Sequence, residues 1–156
     1  LPPLIAVNAV ALDIIFPHHA GKPQETNGGK TMFSHIMLGT NDLDRTKKFY
    51  DAVLGTLGVA PGFVDRHRVF WRTPTGTLGL SLPIDGQPAT CANGGTIGFA
   101  CASAEQADAW HAAGLANGGT SIEDPPGVRE GGMGKMYLAY LRDPDGNKLC
   151  GLHRMS

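Results

Sequence analysis

The strongest constraint on this chain is a hairpin that occurs twice. In YLRDPDGNKLCGL, Tyr140 to Leu152, the turn Asp143-Pro144-Asp145-Gly146 separates two apolar runs. Pro144 presets φ at the second turn position, and Gly146 accepts the geometry that follows. A weaker copy, WRTPTGTLGLSL, spans Trp71 to Leu82. Arg72 and Arg142, Pro74 and Pro144, Gly76 and Gly146, and Leu82 and Leu152 each lie 70 residues apart. Two copies of one hairpin imply a duplicated unit, so the chain is read as two halves.

The first half opens with a predicted strand, FSHIMLGT, Phe33 to Thr40. Asn41 or Asp42 caps a helix running to about Leu57. Leu43, Phe49, Val53 and Leu57 fall on one face of it, charged residues cover the other, and Gly58 stops it. Strands are expected at Phe63 to His67, Val69 to Arg72 and Thr77 to Leu82. A Gly- and Pro-rich linker follows. The pattern then restarts at GTIGFAC, Gly95 to Cys101, and Ser103 caps a second helix with Gln106 in the capping-box position. Here the offset is 61, matching Ile36 to Ile97, Leu54 to Leu115 and Gly58 to Gly119. Its growth from 61 to 70 places about nine extra residues in the second half. DPPGVREGGMGK, Asp124 to Lys135, is read as their host, a Gly-rich loop able to fold over a ligand.

Each half is thus β-α-β-β-β, and a unit of that size buries too little alone. The fold class expected is α+β, with two tandem βαβββ modules forming an incomplete barrel-like curved sheet around a cup. The modules are 32–82 and 95–154, joined by linker 83–94, within a domain 32–156. Residues 1–31 read as foreign to the rest. They are either a non-native leader, with Met32 the natural start, or an arm that packs on the domain or a partner subunit.

A net charge of -1 and a pI near 6.6 give no basic field, so no nucleic-acid partner is expected. Cys91, Cys101 and Cys150 form no CxxC, which argues against a zinc knuckle or a disulfide framework and for a reducing, cytoplasmic location. The longest apolar run, Leu4 to Phe16, is too short and too polar to span a bilayer, so no membrane partner is expected.

The duplicated plan, with FSHIMLGTNDLDRTKKFYDAVLG, the restart at GTIGFAC and the closing LRDPDGNKL, resembles the vicinal oxygen chelate superfamily. That superfamily includes glyoxalase I, bleomycin-resistance proteins, extradiol dioxygenases and fosfomycin-resistance enzymes. The resemblance covers Met32 to about Arg154. It implies four metal positions, one on the first and one on the last strand of each half. Carried over by the two offsets, they fall on His35, Leu80, Thr96 and Cys150. Leucine cannot ligate a metal and threonine does so poorly, whereas a divalent transition metal wants three good protein ligands. No metal and no cofactor are therefore expected, nor the usual glyoxalase I, dioxygenase or fosfomycin chemistry.

The expected function is binding of a small organic molecule in the cup by a protein of glyoxalase/bleomycin-resistance type, as a homodimer. Its lining is expected to be His35, Met37, Leu80, Thr96 and Cys150, with Tyr140 and Arg129 beside them. His35 and Cys150 are the only catalytic candidates. The alternative is a lyase- or isomerase-like enzyme with non-standard ligands. Arg72 and Arg142 are expected to brace the two turns, and His67, His111 and His153 to be exposed.

Overall fold

A computed structural model describes residues 32–155. The leader 1–31, and any place it packs, lies outside the described residues. Among the described residues the chain is α+β, with two helices and two mixed sheets, and no sheet closes into a barrel.

The first half runs β1 (His35–Gly39), α1 (Leu43–Gly55), β2 (Phe63–Asp65), β3 (Arg68–Thr73) and β4 (Gly76–Ser81). Its sheet order is β1-β4-β3-β2, with β1 parallel to β4. The second half runs β5 (Ile97–Ala100), α2 (Ala104–Ala116), β6 (Thr120–Ser121), β7 (Gly127–Gly131), β8 (Gly134–Arg142) and β9 (Lys148–Arg154). Its order is β5-β9-β8-β6, with β7 also paired to β8. The residues read as a Gly-rich loop instead form a β7–β8 ribbon. Gly134, at φ 91, makes its turn, and Val128 and Tyr137 pair across it.

The caps explain the helix limits. Asp42 accepts the Arg45 amide at 2.9 Å, and the Val59 amide closes the far end on the Leu54 carbonyl at 3.1 Å through Gly58, at φ 79. Ser103 accepts the Gln106 amide at 3.2 Å. The Gln106 side chain accepts the Ala102 amide and donates to the Thr56 carbonyl, tying the start of α2 to the end of α1.

The core lies between helices and sheets. Phe49, Tyr50 and Val53 of α1 meet Val69, Trp71 and Leu80. Trp110 of α2 covers Gly151, where an added Cβ would sit 2.8 Å from the indole. His111 is buried, not exposed as expected, because it lies on the sheet side of α2 and bonds Ser121 Oγ at 3.1 Å.

The closing turn clasps the two halves together. The Asp143 carboxylate is buried and accepts from Tyr50 Oη at 2.8 Å, from the Asn147 side chain, and from the Asp145 and Asn147 amides. Asp145 reaches the end of β1. It accepts from Thr40 Oγ1 at 2.7 Å, Thr46 Oγ1 at 2.9 Å, the Asn41 amide at 3.0 Å, Asn41 Nδ2 at 3.1 Å and Arg45 at 2.8 Å. The linker joins this clasp through two Asn41–Ala89 hydrogen bonds.

Candidate functional site

Each sheet has one face on its helix and one open face. In the first sheet, paired residues place His35, Thr77 and Arg72 in one row across β1, β4 and β3. Met37, Gly79 and Phe70 form the next row. Met37 and Phe70 close over Gly79, where a Cβ would collide with both. In the second sheet, Gly98, Cys150 and Tyr140 form a row on the open face.

This pairing corrects one expected site residue. Leu80 does not lie on the open face. It is fully buried against α1, and its partner on β1 is Leu38. The cause is one residue in the turn. Arg72 pairs with Thr77, but Arg142 pairs with Lys148, so the second hairpin is one residue longer. Aligning the turn glycines therefore put β4 one residue out of step, and a one-residue slip exchanges the two faces. The residue opposite Met37, as Cys150 is opposite Gly98, is Gly79.

Two cavities adjoin on the first half. One, of about 410 Å³, is a cleft on the α1 side of the first sheet that also takes in β5, lined by His35, Ile36, Leu54, Trp71, Leu78 and Phe99 among others. The other, of about 420 Å³, is an open-face recess with Ser34, His35, Met37, Arg68, Phe70 and Arg72 on its walls. His35 and Thr77 line both. Of the expected site residues, these cavities bring together His35 and Met37. Leu80, Thr96, Cys150, Tyr140 and Arg129 line neither. Thr96 is exposed just before β5. Arg129 donates to the Pro125 carbonyl at 2.8 Å within its own segment.

The residues missed were Arg68, Phe70 and Arg72. Their signal is the alternation of RVFWRT, in which Val69 and Trp71 are buried and the residues between them face outward. Arg142 braces its turn, donating to the Gly146 carbonyl at 2.6 Å. Arg72 does not act in that way. It lies over the Phe63 ring, 5.0 Å from the centroid.

The donor set does not fit the metal that the resemblance implies. Among the described residues, no three His, Cys, Asp or Glu side chains cluster closely enough to hold an ion. Gly79 offers no donor, and burial pushes the Cys150 thiol above its ordinary value, against the thiolate that both ligation and nucleophilic attack need. His35 Nδ1 is engaged by Ser34 Oγ at 2.9 Å, which leaves Nε2 for a ligand.

Comparison with known proteins agrees with this architecture. The Glyoxalase/Bleomycin resistance protein/Dioxygenase superfamily model matches residues 32–150. The chain belongs to that superfamily. It is 65% identical to a glyoxalase/bleomycin resistance protein from Albidiferax ferrireducens T118, covering 79% of this chain and 99% of that one, with a TM-score of 0.78. A glyoxalase-related enzyme from Fulvimarina pelagi is 19% identical, covers 80% and 89% of the two chains, and has a TM-score of 0.62. A glyoxalase/bleomycin resistance protein/dioxygenase family enzyme from Burkholderia phytofirmans PsJN is also 19% identical, covers 78% and 98%, and has a TM-score of 0.61. The last two show the fold alone. No curated protein matches the chain. Among the described residues, no helix is long and apolar enough to cross a membrane.

Proposed function

We propose that this protein binds a small organic molecule in a cup between its two tandem modules, and that the family's metal positions are degenerate. The supporting observation is the pairing of cavity and donor set. A cleft of about 410 Å³ takes in residues of both halves, in the size range of small-molecule sites. Its walls are mainly apolar, and among the described residues His35 is the only metal-ligating type of side chain in them. Such a site suits capture by burial of apolar surface better than metal-assisted chemistry.

The test has two measurements. Elemental analysis of protein purified without chelator is expected to find no stoichiometric divalent metal. A small-molecule screen read by backbone NMR is expected to yield ligands that shift His35, Ile36, Ile97 and Gly98 together. A stoichiometric metal held through His35 would overturn the reading and favour an enzyme with non-standard ligands. We also propose a homodimer. Among the described residues β1 and β5 are edge strands, and a second copy would cover their backbone groups. Light scattering giving a monomer mass at all concentrations would exclude it.

A further inference from the structure

The recess beside the cleft carries a charge arrangement that the fold does not use. Arg68 and Arg72 stand on the same side of β3, with Phe70 between them. Both are exposed. Among the described residues, no carboxylate lies within 4.0 Å of either guanidinium, although five other ion pairs form. Asp65, the only acid on the strands of this sheet, faces Arg68 across the β2–β3 ladder without meeting that distance. The polar partners they do have are weak. Arg68 Nε donates to His67 Nε2 at 3.2 Å, and Arg72 lies over the Phe63 ring. Opposite them stand Thr77, Ser34 and His35, and the floor is Met37 and Phe70.

We infer that this recess receives the oxyanion of an organic acid, a carboxylate or a phosphate, whose apolar body lies in the adjoining cleft. The inference rests on the cup-binding reading and names the ligand class for it. A planar guanidinium matches such an oxyanion with two parallel hydrogen bonds, and two guanidiniums without a close ion pair raise the local anion concentration, an effect that Asp65 opposite Arg68 partly offsets. His35 and Thr77, at the starts of β1 and β4, border both cavities, so a molecule that joins them passes over that end of the sheet, from its open face to its α1 face. The Phe70 ring and Met37 thioether give a flat apolar floor near the anionic end.

The test is an NMR titration of the full chain with phenylacetate, phenyl phosphate and the neutral phenylacetamide. At least one anion is expected to bind tenfold or more tightly than the amide, shifting Phe70 and Thr77, and the tighter of the two identifies carboxylate or phosphate. Raising the salt concentration is expected to narrow that ratio. R72A and R68A are expected to reduce anion affinity to the level of the amide. R72K should recover only part of it, since it keeps the charge and loses the fork. K48A, on the exposed side of α1, should leave it unchanged. Equal binding of all three probes, insensitive to R68A and R72A, would overturn the anion assignment and leave the cup reading standing. If no probe and no member of the wider screen shifts the cleft residues, both fall.

Discussion

The Asp145 carboxylate fastens the closing turn to the far end of β1, so its removal is expected to loosen the joint between the halves. Five donors converge on it. Thr40 and Thr46 are fully buried, and each loses a bond to a charged acceptor in Asp145→Ala, a loss of about 1.5–3 kcal/mol apiece when nothing replaces it. Their hydroxyls remain bonded to each other at 2.6 Å, which recovers roughly half of that loss. Asn41 and Arg45 are exposed and regain water, so they add no more than about 1 kcal/mol together. The expected destabilisation is about 3 kcal/mol, a fall in Tm of about 10 °C. Asp145→Asn keeps an acceptor and should cost about half as much, and Arg45→Ala alone less than about 1 kcal/mol. Urea denaturation followed by circular dichroism measures all three at constant m. A loss below about 1 kcal/mol for Asp145→Ala would refute the clasp as an energetic element.

Other consequences are open to direct measurement. Burial holds the His111 imidazole below its ordinary value, against the opposing Tyr140 carbonyl and Asp108. Its unfolded form binds the proton more readily, so its contribution is complete above about pH 6.5 and is lost as pH falls through the lower folded value. Denaturation from pH 8 to 5 should show this slope, and His111→Gln should flatten it. At the Asp145 carboxyl, burial raises the value but hydrogen bonds from Thr40, Asn41 and Thr46 outweigh it, so the net shift is downward. Its share of stability is therefore present above about pH 3.9 and lost below, and the slope should vanish in Asp145→Asn. Gly151→Ala places a methyl against the Trp110 indole and should cost about 1–3 kcal/mol in the same urea assay. Cys91 is exposed while Cys101 and Cys150 are buried, with both buried thiols pushed up by burial. A thiol reagent at neutral pH should modify one cysteine rapidly and the other two only in denaturant.

The sequence carried the secondary structure because those signals are local. Each helix limit follows from a cap and a glycine stop, and the two helices begin and end 61 residues apart, as the offset required. Phe49 and Val53 were legible as core from their helical spacing. The candidate site was legible only at His35 and Met37. Leu80 was misplaced because turn length is not visible in a motif match, and one residue in a turn reverses every side chain of the strand after it. The extra residues of the second half looked like a loop because glycine marks turns, yet most of them pair with β8.

The sequence by itself determined the superfamily, the two helices, and the strands of the first half with their order. Asp143 and Asp145 belong to its most recognisable motif, but their partners lie on α1 and at the end of β1, up to 105 residues away. Only the tertiary structure decided that they clasp the halves, that His35 shares a recess with Arg68 and Arg72, and that Gly79 stands where Leu80 was expected. The reason is physical. Local propensity acts within a turn or a strand, whereas a site is made where strands pair, and pairing depends on the length of every turn between them.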